Sequence, residues 1–318
     1  MSTTDRDAPL PSRRAFATGS LSLVAAVGAG TWPRLVLAQT SVHKTKVGAA
    51  EITIISDGVF SLPRSLVLPD TPAADVDALL KAHGASLEIE AQTNVSVVRH
   101  GTTLALIDTG AGPDFMPTLG KLGDRLEEIG IKADDVTHVV FTHGHADHFW
   151  GVLDPFGDGS RWPKAKHVMT RVERDFWLAA DVEGKVPAFQ KSMATGTQRR
   201  LKSLADNISV VEPGAEIAPG IALLGTPGHT PGHASVVVKS GSDELLILGD
   251  ALTHAAISFA APDWRWGSDI DGPLAAATRR KLLDDLAARK VGVVGYHLPW
   301  PGVGRVERAG SAYRFVTA

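Results

Sequence analysis

From about residue 50 onward, short apolar runs recur and each stops abruptly at a polar residue or glycine. Glu51 to Ser56 and Thr102 to Asp108 alternate or run apolar in this way, and the second ends in Asp108-Thr109-Gly110. Val139-Val140-Phe141, Ile221-Ala222-Leu223-Leu224, Leu245-Leu246-Ile247-Leu248 and Val291-Gly292-Val293-Val294-Gly295 follow the same design. Runs this short, bounded by turn residues, predict buried strands. Helical spacing lies between them. Thr71-Pro72 offers a cap and a first-turn proline for a helix through Leu79-Leu80. Leu119, Leu122, Leu126 and Ile129 share one helical face and Gly130 closes it; Leu274, Leu282, Leu283 and Leu286 mark a late helix before Gly292. Strands alternating with helices predict an α/β fold.

What stands at the ends of these strands gives the pattern its chemical meaning. Phe141 runs into Thr142-His143-Gly144-His145-Ala146-Asp147-His148, three imidazoles and a carboxylate within six residues. Leu224 leads to Gly225-Thr226-Pro227-Gly228-His229-Thr230-Pro231-Gly232-His233; Leu248 leads to Gly249-Asp250; Gly295 leads to Tyr296-His297. Open α/β sheets place their sites along the edge formed by the strand ends. Imidazole nitrogen and carboxylate oxygen are the donors that zinc and its first-row neighbours accept. One four-coordinate ion cannot use His143, His145, Asp147, His148, His229, Asp250 and His297 together. Two ions sharing a bridging carboxylate can.

The order HxHxDH, a GHTPGH histidine, a GD aspartate and a late histidine resembles the metallo-β-lactamase superfamily of metallohydrolases. Within it the chain is most similar to the methyl parathion hydrolase and lactonase branch. Glu51-Ile52-Thr53 with Ser56-Asp57-Gly58, Asp108-Thr109-Gly110-Ala111, Pro117-Thr118-Leu119-Gly120 and Asp175-Phe176-Trp177-Leu178 carry that likeness. His297-Leu298-Pro299-Trp300-Pro301-Gly302 and Tyr313-Arg314-Phe315-Val316 extend it to the C-terminus. The resemblance implies a four-layer αβ/βα sandwich. It implies one divalent ion, zinc being favoured, on His143, His145 and His229, and a second on Asp147, His148 and His297. Asp250 would bridge them, and a hydroxide between the ions would be the nucleophile. Asp147 and Asp250 are then the candidate catalytic carboxylates, Asp147 also orienting the attacking water. A homodimer is implied as well.

Several departures narrow the reading. Without cysteine the chain matches poorly the β-lactamases that use a Cys ligand. Redox members with two irons want a glutamate where His145 stands. Quorum-quenching lactonases carry a tyrosine shortly after the bridging aspartate, and this chain has Thr253-His254 there. The resemblance also implies an aromatic pocket wall, with which Phe115, Trp177, Phe189 and Trp300 align, and Trp264-Arg265-Trp266 adds aromatic residues in a loop. Such a wall suits a small neutral or aromatic substrate better than a charged phosphate, which would call for Arg or Lys clamps. Arg64 is the lone candidate for one. The expected function is hydrolysis of a lactone or aryl ester, extending to phosphotriesters such as methyl parathion. Hydrolysis of acyl-homoserine lactones or thioesters is the alternative, and a periplasmic metal-binding protein without turnover is the reading from a different class. His233 is read as orienting its loop, and Asp57 and Asp108 as holding ligand imidazoles from behind.

Composition changes the picture little. The 318 residues are 44% hydrophobic, enough for one large core, and a net charge of −3 gives no basic footprint for nucleic acid. The N-terminus is a separate object. Ser12-Arg13-Arg14-Ala15-Phe16, a mildly apolar stretch from Leu21 to Ala29, and Val36-Leu37-Ala38 read as a twin-arginine export signal over 1–38. That stretch is too short to form a stable membrane span. Residues 39–318 are then a single hydrolase domain, delivered by the twin-arginine machinery to the periplasm or beyond. With no cysteine, its stability must come from packing and metal.

Overall fold

The computed structural model describes residues 41–157, 159–204 and 207–318. The export signal read over 1–38 lies outside the described residues. Fourteen described strands form two mixed seven-stranded sheets. The first contains Val42–Val47 (β1), Ala50–Ser61 (β2), Glu90–His100 (β3), Thr103–Ile107 (β4), His138–Val140 (β5), Lys166–Thr170 (β6) and Ile208–Val211 (β7), in chain order. The second contains Glu216–Ala218 (β8), Ile221–Gly225 (β9), Ala234–Ser240 (β10), Asp243–Ile247 (β11), Gly292–Val294 (β12), Val303–Ala309 (β13) and Ala312–Thr317 (β14), also in order. β4 through β7 run parallel, as do β11 and β12, and the remaining pairs are antiparallel. Each parallel pair requires a crossover, and helices supply it.

Side-chain alternation along the strands divides the core into layers. In β4, Ala105 and Ile107 face the second sheet and, with Ile52 and Val140 of their own sheet, pack in one cluster with Val236 and Ile247 of the other. Leu104 and Leu106 face outward onto Leu122, Leu126, Leu201 and Trp177. In β11, Leu245 and Ile247 turn inward while Leu246 meets Leu282, Leu283 and Leu286 of the helix Gly272–Arg289. Helices therefore cover both outer faces, which gives the expected αβ/βα sandwich. Asp271 caps that last helix by accepting the Leu274 N–H at 3.0 Å, with Pro273 in the first turn. The helix after Thr71-Pro72 forms over Ala73–Ala82, and the Leu122–Glu128 helix starts three residues later than Leu119 suggested. No described helix is long and apolar enough to cross a membrane.

Candidate metal centre

The seven side chains at the strand ends converge. His143, His145, His229 and Asp250 form one group of donor atoms within 4.8 Å of one another, and Asp147, His148 and His297 form a second. β5 delivers the first motif, β9 leads to His229, β11 to Asp250 and β12 to His297. In the first group His145 Nδ1 lies 3.0 Å from His143 Nε2 and 2.9 Å from His229 Nε2. In the second, His297 Nε2 lies 3.3 Å from Asp147 Oδ2 and 3.4 Å from His148 Nε2. Asp250 faces both. Its Oδ2 is 3.2 Å from His229 Nε2, whereas its Oδ1 is 3.0 Å from His148 Nε2 and 3.2 Å from His297 Nε2.

Buried imidazoles pointing ring nitrogens at one another make a poor hydrogen-bonded core but a good cation cradle. Four of the five have their other nitrogen engaged, which fixes the tautomer and aims the inward lone pair. His148 Nδ1 donates to Asp108 Oδ2 at 2.7 Å, His229 Nδ1 to Asp269 Oδ1 at 3.1 Å, and His297 Nδ1 to the Gln92 carbonyl at 2.6 Å. His143 Nδ1 lies 3.0 Å from Thr142 Oγ1, whose hydroxyl donates to Asp108 Oδ2 at 2.8 Å. Asp108 thus braces ligands of both groups, and it does so from a left-handed backbone, φ 62°, that side chains rarely adopt. Behind Asp269 stands the buried Arg279, its Nη1 3.0 Å from Asp269 Oδ2. The donor set and its bracing fit two divalent ions.

Electrostatics separate the donors. Burial is the largest influence on Asp250 and opposes its charge, yet His297, His148 and His229 outweigh it and hold the carboxyl well below its ordinary range. Burial also opposes charge on His229 and His297, but Asp250 and the neighbouring carboxylates raise them to about 9 and about 10. Burial, helped by the positive field of His229, lowers both His145 and His233 to about 3. His233 is not in either group. Its neutral Nε2 accepts the Asp250 backbone N–H at 2.9 Å while Nδ1 donates to Thr226, so it sets the bridging aspartate in place. Gly249 must be glycine there: its φ is +54° and a Cβ would lie 2.7 Å from His233 Nε2.

Tyr296, adjacent to His297, braces the second group. Its hydroxyl donates to the Asp147 carbonyl at 2.7 Å and its ring stacks on His148 with centroids 3.8 Å apart. Asp57 departs from expectation. It accepts the N–H groups of Ala111, Gly120 and Leu122 and so fixes the loops beside the site, touching no ligand imidazole. The periodicity offered no way to separate it from Asp108, since both end apolar runs.

A cavity opens directly on the two groups. His145, Asp147, His229, Asp250 and His297 form its floor, and Phe60, Leu62, Phe115, Phe189, Met193 and Trp266 form much of its wall. Of the four candidate wall residues, Phe115 and Phe189 line this cavity. Trp177 and Trp300 do not, and both readings are corrected. Trp177 is buried beneath the floor, edge-on to His145 and donating its Nε1–H to Glu173 at 2.6 Å. Trp300 packs against the core between the sheets. Phe60 and Trp266 take their place in the wall. Arg64 pairs with Asp77 and is not free to clamp an anion, while His254 Nδ1 accepts the backbone N–H of Ala256 and Ile257.

A two-sheet sandwich with paired His/Asp groups at its strand ends defines a class, and residues 89–294 match the Metallo-beta-lactamase superfamily. The chain belongs to that superfamily. Among solved structures it is similar to AidC, a dizinc quorum-quenching lactonase, at 27% identity and a TM-score of 0.82, covering 87% of this chain and 97% of that one. It is also similar to the hydrolase AbOPH at 26% identity and a TM-score of 0.81, covering 88% and 98%. A probable metallo-hydrolase of Mycobacterium bovis is 28% identical over 193 residues, 51% of this chain and 57% of the relative. An N-acyl homoserine lactonase of Bacillus cereus is 26% identical over 123 residues, 39% and 41%. The chain spans less than two thirds of the length of these two relatives.

Proposed function

We propose that the chain is a dinuclear metal-dependent hydrolase of a small, neutral lactone or aryl ester, with phosphotriesters such as methyl parathion as a second class. One observation carries this reading: Asp250 presents one oxygen to each of two imidazole groups at the floor of an apolar, aromatic cavity. His143, His145 and His229 would hold one ion, Asp147, His148 and His297 the other, and Asp250 both. The N/O donors and the dizinc neighbour support zinc. Ions held there would polarise a carbonyl or phosphoryl oxygen and acidify a bound water toward neutral pH.

The chain's own groups do the rest. Phe60, Phe115, Phe189 and Trp266 bind the apolar body of the substrate and keep bulk water from the floor. Asp147, fixed through its carbonyl by Tyr296, lines the same floor and orients the attacking water. Thr253 brings a hydroxyl to the cavity where the lactonase pattern has a tyrosine, and it is the nearest replacement for that donor in sequence. Likeness to AidC favours N-acyl homoserine lactones as a second reading. Export by the twin-arginine route to the periplasm rests on Arg13-Arg14, and a homodimer rests on the family resemblance alone.

The test is kcat/KM for dihydrocoumarin, methyl parathion and N-hexanoyl-homoserine lactone on one metal-replete preparation of residues 39–318, with His145→Ala as control. Highest efficiency on dihydrocoumarin, and loss of every activity together in His145→Ala, is expected. Preference for the homoserine lactone would install the second reading, and activity on none would overturn the substrate class.

A further inference from the structure

His145 is an exception among the five candidate imidazole ligands. Its Nδ1 faces His143 and His229, but its Nε2 is buried and has no hydrogen-bond partner among the described residues. A ligating imidazole is ordinarily aimed by whatever holds its other nitrogen. His145 must be aimed differently. The backbone and ring beside it are held instead. Gly144 N–H donates to Glu173 Oε1 at 2.9 Å, and Gly144 C=O accepts the Thr197 hydroxyl at 2.7 Å. The Trp177 ring lies edge-on against the imidazole, centroids 5.6 Å apart, and its Nε1–H donates to the same Glu173 Oε1. A Cβ on Gly144 would come 2.5 Å from Trp177 Nε1, so the contact is already closed.

The second oxygen of Glu173 reaches the other loop of this group. Oε2 accepts the Thr230 hydroxyl at 2.7 Å and the Gly232 N–H at 3.0 Å, on either side of the turn that follows His229. We propose that Glu173 is a positioning residue for the His143/His145/His229 group, one buried carboxylate that aims His145 and ties its loop to the loop of His229. Glu173 is 0% exposed, and all four donors point at it. A glutamine could accept at one oxygen only and would turn an NH₂ toward donors at the other. The Asp147/His148/His297 group does not depend on it, being braced by Asp108, Tyr296 and the Gln92 carbonyl. The inference rests on the two-ion reading above.

Zinc titration of the metal-stripped chain against a chromophoric chelator separates the two. The wild type should take two ions; fewer would overturn the two-ion reading itself. With two bound, Glu173→Gln should leave one ion's affinity unchanged and weaken the other by about 10–100-fold. The same weakening should persist in a His297→Ala background, where only the three-imidazole group is complete, and shrink in a His145→Ala background. Trp177→Phe keeps an aromatic ring beside His145 and removes the indole donor, so it should still fold, with a lower melting temperature, and weaken the same ion by a smaller factor. If Glu173→Gln fails to fold, that variant decides alone. Equal weakening of both ions, or of neither, would overturn the role of Glu173.

Discussion

Asp108 shows how much one side chain contributes here. It accepts the Thr142 N–H at 2.8 Å, the Thr142 hydroxyl and His148 Nδ1, from a backbone with φ 62°. Asp108→Ala removes every acceptor at once, and each buried donor left unpaired costs about 1–3 kcal/mol. Metal affinity should also fall about 10–100-fold. Asp108→Asn tolerates the left-handed backbone and keeps one acceptor, so it should melt closer to the wild type yet still lose ion affinity; equal melting of the two variants would contradict this. Protonation belongs to the same scale. His229 and His297, raised to about 9 and about 10 from 6.5, carry protons in the metal-free chain at neutral pH. Their ionisation stabilises the metal-free fold below pH 6.5, and that contribution is lost as pH rises through 9 and 10. Metal requires neutral imidazole, so loading near neutral pH should release protons and tighten as pH rises. Calorimetry in buffers of different ionisation enthalpy checks this, and a buffer-independent heat would contradict it.

At the scale of elements, the strand-end rule was readable because each ligand lies in the segment that follows its apolar run, and β5, β9, β11 and β12 lead to those segments. The wall was only half readable. Phe60 sits near the end of the long β2, Ile89 just before β3, and Trp266 in a loop, with no shared period linking them. Trp177 lies on the helix Arg171–Leu178, whose apolar face could equally meet cavity or core; burial against Leu106 and Phe141 settles it. Glu173 and Asp269 gave no signal at all, since a lone acidic residue on a helix or loop reads as solvated. The corrected placement changes what mutation should do. Trp177→Ala should cost about 3–5 kcal/mol of stability, as a buried tryptophan does, and weaken all substrates alike. Phe189→Ala, from the wall, should leave the melting temperature within a few degrees and change the ratio of kcat/KM between aryl and alkyl substrates. A constant ratio would remove Phe189 from the binding surface.

Across the whole molecule, two sheets, each carrying part of the donor set, meet at one edge, and Asp250 from the second sheet faces donors from both. The first sheet supplies His143, His145, Asp147 and His148; the second supplies His229, Asp250 and His297. Ions bound there would cross-link the two halves of a chain that has no disulfide, so a chelator should lower the melting temperature as well as abolish turnover. Alternation indicated α/β alone and the sandwich followed from the family that the motif order resembles, whereas the pairing of loops across the edge needed coordinates. The central claim is that one aspartate joins two metal sites, and metal content tests it most directly. Two ions per chain are predicted for the wild type. In Asp250→Ala both should be lost or weakened together, with hydrolysis. Full occupancy of either site in that variant would contradict the account.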